Sequence, residues 1–287
     1  MQTRRIAAEQ VSAIGLGAMP MSVAGHMPDR EQSVRTIHAA LDAGVTLIDT
    51  ADAYTPDAGD IGHNERLVAE ALRTWSGDPD TVLVATKGGH TRTPDGGWPL
   101  DGSAAHMRRA CEQSLRALGV EAIGLYQYHR PDPATSWEET IGVLAELLDA
   151  GKIRMAGISN ADPDQIRSAN AILGGRLASV QNEYSPRLRS SEPELRLCDD
   201  LGVAFLPWSP LGGVGRADEL GGRFAAFAVV AADHGVSTQQ VCLAWELAKS
   251  PVVVPIPGAS RPESILDSVR AVDLRLSGAE LARLDAS

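Results

Sequence analysis

Short apolar runs alternate with longer stretches of helical character along almost the whole chain. The runs are rich in Val, Ile, Leu and Ala and have the length of buried strands. Together they predict eight strands, at Val11–Ala18, Val45–Thr50, Val82–Thr86, Ile123–Tyr128, Ile153–Ile158, Ala178–Gln181, Val203–Pro207 and Val252–Pro255.

Ordinary helix boundary signals separate these runs. Ser136 with Glu139, and Ser237 with Gln240, have the spacing of N-terminal capping boxes. Glycines that follow a helical run and precede a strand are typical of helix C-termini. Four positions have this form: Gly44, Gly119, Gly151 and Gly202.

Strands that alternate with helices predict parallel pairing through right-handed crossovers, and eight such units close a sheet on itself. We therefore predict an α/β fold, a (β/α)8 TIM barrel, as one domain over residues 1–287. Residues 4–7 and 11–13 are expected to form a short N-terminal hairpin that caps the barrel floor. An open doubly wound sheet is the alternative, but the segment from Gly15 to Pro20 lacks the third glycine of the dinucleotide-binding turn.

Charge narrows the range of partners. The formal net charge of -11 and the pI near 5.1 leave no basic field for nucleic acid or an anionic membrane. Any anion that the protein binds must be held by local groups, and we expect a small-molecule partner. The sequence does not predict the oligomeric state.

The cysteines and the N-terminus favour the cytoplasm. Cys111, Cys198 and Cys242 are odd in number and form no C-x-x-C pair, so they are expected to pack as small apolar side chains rather than bind metal or form disulfides. The first residues lack the apolar segment of a secretion signal, and no run approaches the roughly 18 apolar residues of a membrane span.

Polar or aromatic side chains follow nearly every predicted strand. In a parallel barrel the carboxyl ends of the strands meet at one mouth, where active sites lie. The side chains expected there are Asp49, Lys87, His129, Ser159, Asn160, Gln181, Trp208, Ser209, Ser260 and Arg261.

Four of the side chains expected near this mouth suit proton transfer to a carbonyl oxygen. Taken singly, Asp49 could cap a helix, Tyr54 could be a rim aromatic and His129 could bind a backbone carbonyl, but their joint placement with Lys87 favours chemistry. An ammonium about 4 Å from a phenol stabilises the deprotonated phenol by roughly 4 kcal/mol at an effective dielectric of about 20. Lys87 should therefore bring the pKa of Tyr54 towards neutrality, with Asp49 as the counter-ion and His129 as a hydrogen-bond donor to the substrate oxygen.

Eight segments, in order and spacing from about residue 13 to residue 270, resemble the aldo-keto reductase family. They are Ile48–Tyr54, Asn64–Glu65, Thr86–Gly89, Tyr128–Asp132, Gly157–Asn160, Gln181–Tyr184, Trp208–Gly212 and Ile256–Ser260. The resemblance implies a (β/α)8 barrel that reduces an aldehyde or ketone with NADPH as hydride donor. It also implies a catalytic tetrad of Asp49, Tyr54, Lys87 and His129, with Tyr54 as the general acid.

The same resemblance implies contacts along the whole cofactor. Ser159, Asn160 and Gln181 would bind the nicotinamide carboxamide, and Trp208 would stack on the ring. The glycine-containing segment after Trp208 and the one that ends at Arg261 would hold the pyrophosphate and the 2′-phosphate, which a guanidinium binds well. The residues implied there are Ser209, Leu211, Gly213, Gly258, Ser260 and Arg261.

The chain departs from the family pattern at the adenine end. Many relatives have an adjacent Glu-Asn pair where this chain has Asp267 and Ser268, whose side chains are shorter. Asp267 is still expected to contact the adenosine, but the grip on the adenine and the preference for NADPH over NADH are expected to be weaker.

The expected substrate pocket is wide, aromatic and rich in thioethers. Such a lining suits many aldehydes, ketones and sugars, so it does not identify the substrate or the direction of reaction. Arg130 either faces the substrate or pairs with Asp132 on the rim. Beside Tyr54, His129 and Trp208, the lining residues are expected to be Met19, Met21, Trp98, Arg130 and Tyr184.

Two other functions remain open from the residues. Lys87 could form a Schiff base in an aldolase-type lyase, although the Gly157–Asn160 and Ile256–Ser260 segments would then have no role. The same barrel could also act as a nicotinamide-binding regulatory subunit with little turnover. The complete set of four side chains favours a reductase.

Overall fold

The structure is a computed structural model that describes residues 1–23, 25, 27–213 and 224–287. Within these residues, two short antiparallel strands precede a parallel sheet of seven strands whose order follows the sequence. The strands are β1 Thr3–Ile6, β2 Glu9–Ser12, β3 Leu16–Gly17, β4 Leu47–Asp49, β5 Leu83–Gly88, β6 Ile123–Tyr128, β7 Ile153–Ser159, β8 Leu177–Gln181 and β9 Ala204–Phe205.

Helices follow the strands and cover the outside of the sheet. They are α1 Arg30–Asp42, α2 His63–Thr74, α3 Ala104–Leu118, α4 Trp137–Asp149, α5 Pro163–Ile172, α6 Glu192–Leu201, α7 Ala225–His234, α8 Thr238–Lys249, α9 Pro262–Val269 and α10 Gly278–Asp285. Short 3₁₀ helices lie at Met19–Met21, Pro79–Thr81 and Arg270–Asp273.

The segment from residue 252 to residue 258 closes the sheet into a barrel. Single bridges join Val253 to Phe205 on one side and Gly258 to Gly17 on the other. Pro255 and Pro257 lie in this segment and can only accept: their carbonyls receive the backbone N–H groups of Gly15 and Gly17, both at 2.9 Å. The eighth predicted strand is therefore in place as separate bridges rather than a continuous ladder, and the (β/α)8 barrel is confirmed.

The hairpin β1–β2 packs against the interior at the barrel floor. Ile6 and Val11 are buried together with Leu47, Leu83 and Leu125, which lie early in their strands. The first predicted strand, Val11–Ala18, was too long, because the chain leaves the hairpin after Ser12 and enters the barrel only at Leu16. The N-terminal hairpin and its place at the floor are as expected.

Local boundary signals correspond to observed helix ends. Ser136 and Ser237 each accept a hydrogen bond from the backbone N–H three residues on, so both act as caps. The side chain of Gln240 instead contacts Asp267, so the second pair is not a reciprocal capping box. The four predicted C-terminal glycines all have positive φ, from 67° to 87°.

The main hydrophobic core lies between the sheet and the outer helices. It includes Tyr126, Tyr184 and Trp245, each fully buried. The three cysteines are buried and unpaired, as expected of packing residues. Within the described ranges, no helix has both the length and the apolar character that crossing a membrane requires.

Candidate active site

The ends of the parallel strands bring the expected polar side chains to one mouth of the barrel. Asp49 is the last residue of β4, Lys87 is next to last in β5, and His129 directly follows β6. The strand register sets Lys87 beside Gln127 and Ser159 beside Gln181. A cavity of about 960 Å³ opens above them and runs from Tyr54 and His129 towards α9.

Lys87 is the centre of the hydrogen-bond network at the cavity floor. Its Nζ donates to Oδ1 of Asp49 at 2.5 Å, to the carbonyl of Thr50 at 2.9 Å and to the Tyr54 hydroxyl at 3.1 Å. The side chain is fully buried, and these three bonds use all the donors of an ammonium. Burial is the largest single effect on the pKa of Lys87 and lowers it, but the Asp49 carboxylate and the Tyr54 hydroxyl together exceed it, and the pKa is raised above its ordinary value.

The pKa of Tyr54 corrects the sequence-based expectation. Burial of the phenol raises its pKa above the ordinary value, and the opposing effect of Lys87 is smaller. The cost of removing a phenolate from water exceeds the attraction of the ammonium. Tyr54 is therefore a protonated donor at neutral pH in the free protein.

Two glutamines hold the second oxygen of Asp49. The side-chain amide of Gln181 donates to Oδ2 at 2.8 Å, and that of Gln127 approaches the same oxygen at 3.4 Å. Gln127 is fully buried and also accepts a hydrogen bond from Ser179. Gln127 was not predicted from the sequence; the available signal was an amide inside an apolar strand.

His129 lies at the wall of the cavity beside a second histidine that the sequence analysis missed. Its ring centroid is 5.7 Å from that of Tyr54 and 4.5 Å from that of His90, both edge to face. Burial, followed by the nearby charge of Lys87, lowers the pKa of His129 well below its ordinary value, so the imidazole is neutral. Its Nδ1 is buried without a hydrogen-bond partner among the described residues.

Ser159, Asn160 and Trp208 form one connected group beside His129. The Asn160 amide donates to the carbonyl of His129 at 3.0 Å and to the Ser159 hydroxyl at 2.9 Å, and its oxygen accepts from the indole of Trp208 at 3.2 Å. Asn160 and Ser209 have φ of 58° and 52°, in the left-handed region that L side chains rarely adopt. Two such residues in one cavity wall fit the tendency of backbone strain to gather at functional sites.

The far end of the cavity is built around the start of α9. Ser260, Arg261 and Ser264 line it, and Nε of the exposed Arg261 donates to the Ser264 hydroxyl at 3.2 Å. The side chain of the N-cap residue Arg261 makes no capping hydrogen bond to α9, and the N–H groups of a helix N-terminus suit an anion. Leu211, Gly213 and Gly258 also line the cavity.

Asp267 lies in the cavity wall, but its carboxylate is already engaged. It accepts from the Ser237 hydroxyl at 2.6 Å and from the Gln240 amide at 2.5 Å. These bonds join α9 to the start of α8. Asp267 therefore braces the two helices, whatever it contacts in addition.

At the other end, Met19, Trp98 and Arg130 line the cavity. Trp98 is 6.2 Å from Tyr54, ring to ring, and the Arg92 guanidinium lies 3.8 Å above its indole. Arg92 and Trp98 belong to one loop after β5, so this loop holds Trp98 over Tyr54.

Two expected pocket residues lie elsewhere. Tyr184 is fully buried in the outer core, where its ring stacks on Trp245 at 5.5 Å and its hydroxyl binds Glu192. Met21 is buried among the residues that pack around α1 and α2. Neither side chain lines the cavity above Tyr54, because both are buried in hydrophobic clusters.

Arg130 does not pair with Asp132. Its Nη2 donates to Oδ1 of Asn160 at 3.1 Å, while the Asp132 carboxylate accepts from the backbone N–H groups of Gly102 and Ala134. The exposed guanidinium therefore leans over the cavity towards Asn160.

Comparison with known proteins finds relatives among oxidoreductases. An uncharacterized oxidoreductase of Schizosaccharomyces pombe is 33% identical over 278 residues, which are 96% of this chain and 86% of that protein. A 6-dehydroglucose reductase of Novosphingobium aromaticivorans is 36% identical over 272 residues, 92% of this chain and 88% of that protein.

A solved structure also matches closely. It is an aldo/keto reductase from Klebsiella pneumoniae in complex with NADP and acetate, with a TM-score of 0.83 and 30% identity, over 99% of this chain and 94% of that chain. The model of the Aldo/keto reductase family matches residues 13–287. The chain belongs to the aldo-keto reductase family of oxidoreductases.

Proposed function

We propose that the protein is an NADPH-dependent reductase that converts an aldehyde or ketone to its alcohol. The observation that carries the proposal is the Tyr54 hydroxyl, which faces the cavity beside His129 and is held by a fully buried, charged Lys87. A protonated phenol next to a fixed ammonium, at the end of a long cavity, is an arrangement suited to protonating a carbonyl oxygen.

The cavity fits the cofactor that the family uses. The uncapped start of α9, with Arg261 and Ser264, presents donors and a positive charge of the kind that a phosphate needs. Ser209 and Gly213 have positive φ and line the cavity. Ser159, Asn160, Gln181 and the indole of Trp208 lie near the Tyr54 end, where the nicotinamide would be held.

Bound NADPH supplies the hydride to the carbonyl carbon. Tyr54 donates its hydroxyl proton to the carbonyl oxygen, and Lys87 stabilises the phenolate that results. Asp49 keeps Lys87 charged, and Gln181 and Gln127 fix the carboxylate. The neutral imidazole of His129 donates a hydrogen bond to the same carbonyl oxygen and orients it.

The pKa directions predict how the rate of reduction depends on pH. Reduction needs protonated Tyr54, which is present below its raised pKa, and neutral His129, which is present above its lowered pKa. We expect kcat/KM for reduction to stay level from about pH 6.5 to about pH 9, between the ordinary pKa values of the two side chains. Alcohol oxidation needs the deprotonated phenol and should accelerate as the pH rises through this range.

NADPH consumption at each pH, with the buffers matched in ionic strength, measures the reduction profile. An inflection near pH 6.5 in kcat/KM for reduction would mean that His129 carries a proton at its ordinary pKa and that burial does not control it.

Replacing Arg261 with alanine should weaken the binding of NADPH much more than that of NADH, because only NADPH carries the 2′-phosphate. A hydrogen bond to a charged group contributes roughly 1.5–3 kcal/mol, or about 10–150-fold in Kd. Fluorescence titration of both cofactors measures the difference, and Arg270→Ala, another exposed arginine close by, is the matched control. Equal losses for NADPH and NADH would place the 2′-phosphate away from Arg261.

The structure argues against a Schiff-base lyase. All three donors of Lys87 are bonded and its pKa is raised, whereas an amine nucleophile must be neutral. Borohydride with a carbonyl substrate should therefore leave Lys87 unmodified.

NADPH oxidation over a panel of carbonyls tests the proposal itself. Because one relative is a 6-dehydroglucose reductase, the panel should include sugar carbonyls beside aromatic and aliphatic aldehydes. Tight NADPH binding without turnover on any member of the panel would favour a regulatory role.

A further inference from the structure

The hydrogen-bonding capacity of the Asn160 side chain is already fully used. An asparagine amide offers two donor hydrogens and two acceptor lone pairs. The nitrogen donates to the His129 carbonyl and the Ser159 hydroxyl, and the oxygen accepts from Trp208 and Arg130. A new polar partner for Asn160 must therefore displace one of these four bonds.

The bond from Arg130 is the least costly to give up. Ser159 is buried, and the His129 carbonyl belongs to the strand end that carries the imidazole. The Trp208 indole is half-buried, whereas Arg130 is exposed and regains hydrogen bonds to water when it leaves. The Arg130 bond is thus the one that a competitor at Oδ1 would replace.

We propose that Arg130 is a latch on Asn160 that the nicotinamide carboxamide opens, and that the released guanidinium then binds an anionic group on the carbonyl substrate. The inference rests on the proposed function, because it takes Asn160 as a ligand of the nicotinamide. It adds a coupling between the two halves of the cavity and a substrate class, a carbonyl compound that carries a carboxylate or another anionic group.

The charges at this rim favour an anion. Burial raises the pKa of Glu183, and the charges of Arg130 and Arg187 both oppose this rise, so the two guanidinium groups lie near the same carboxyl. Arg130 lines the cavity and so brings a positive charge to this rim in a chain whose net charge is -11. A guanidinium released from Asn160 beside His129 would lie where the far end of a short substrate extends.

Removing a positive charge near an anionic cofactor is ordinarily expected to weaken cofactor binding. The latch predicts the opposite for Arg130. Arg130→Met removes the competitor for Asn160, so NADP⁺ should bind about two- to tenfold more tightly, the range for one hydrogen bond. Adenosine 2′,5′-bisphosphate lacks the nicotinamide, so its affinity should not rise. Isothermal titration calorimetry measures both ligands, and Arg167→Met on α5 is a control for the loss of an exposed arginine.

Coupling between two ligands is reciprocal. If bound NADP⁺ releases Arg130 and so raises the affinity for an anion, the anion must raise the affinity for NADP⁺ by the same factor. Benzoate is an unreactive probe of this effect, and benzamide is its neutral counterpart. Benzoate should lower the Kd for NADP⁺ by about two- to tenfold in the parent protein, benzamide should not, and Arg130→Met should abolish the effect.

The outcomes separate the two proposals. If NADP⁺ does not bind or no carbonyl is reduced, the proposed function fails and the latch fails with it. If NADP⁺ binds and carbonyls are reduced, but Arg130→Met changes NADP⁺ and adenosine 2′,5′-bisphosphate by the same factor, only the latch is wrong. Tightening in Arg130→Met without any effect of benzoate would keep the latch and overturn the anionic substrate class.

Discussion

Replacing Tyr54 with phenylalanine is expected to lower kcat for carbonyl reduction by about 10²–10⁴-fold, the usual contribution of general acid catalysis. Phenylalanine keeps the ring, which packs against Trp98 and His129, and removes only the hydroxyl bonded to Lys87. NADPH should therefore bind with a Kd within about twofold of the parent value, because the phenol is not expected to contribute to cofactor affinity. Steady-state kinetics and a cofactor titration on one preparation measure both quantities.

Tyr126→Phe is the matched control. This hydroxyl is also buried, but it has no hydrogen-bond partner among the described residues and lies outside the cavity lining. Its removal should leave kcat within about twofold, because the variant loses no bond within the described part of the chain. If Tyr54→Phe kept more than half of the parent activity, Tyr54 could not be the proton donor.

The barrel could be predicted because its signals are local and repeated. Each strand is an apolar run, and glycines such as Gly119 and Gly202 mark helix ends where a left-handed residue is required. The ends of the sheet were less predictable. Pro255 and Pro257 have no backbone N–H to donate, so the closing segment pairs through single bridges. Which backbone N–H groups their carbonyls accept from depends on the neighbouring segment in the folded barrel.

The candidate site also contains residues that could be placed from the sequence and residues that could not. Asp49, Lys87 and His129 could be placed together because the end of a parallel strand fixes the mouth to which a residue belongs. Tyr184 follows a strand end as well, yet its ring points outward onto Trp245. The direction of a side chain after a strand depends on tertiary packing, which a residue's position in the sequence does not reveal. Burial of the Tyr54 phenol, which reverses the expected direction of its pKa, is likewise a property of the assembled barrel.

The ion pair below the cavity predicts a large effect on stability. Lys87→Met removes the ammonium and leaves the Asp49 carboxylate almost fully buried, with the two glutamine amides as its side-chain donors in the described part of the chain. An unpaired buried charge costs about 3–5 kcal/mol, so the free energy of unfolding should fall by that amount. The exposed pair of Lys152 and Glu112, at 3.2 Å, is the matched comparison, and Lys152→Met should cost at most about 1 kcal/mol.

A second substitution separates the charge from the packing. Asp49→Asn combined with Lys87→Met removes both charges and keeps the shape of the Asp49 side chain, so the double variant should be more stable than Lys87→Met alone. Urea denaturation at one pH, followed by circular dichroism, gives the free energies of unfolding for the parent, both single variants and the double variant. If the double variant were no more stable than Lys87→Met, the loss would come from the space that lysine fills, and the argument from a buried unpaired carboxylate would be wrong.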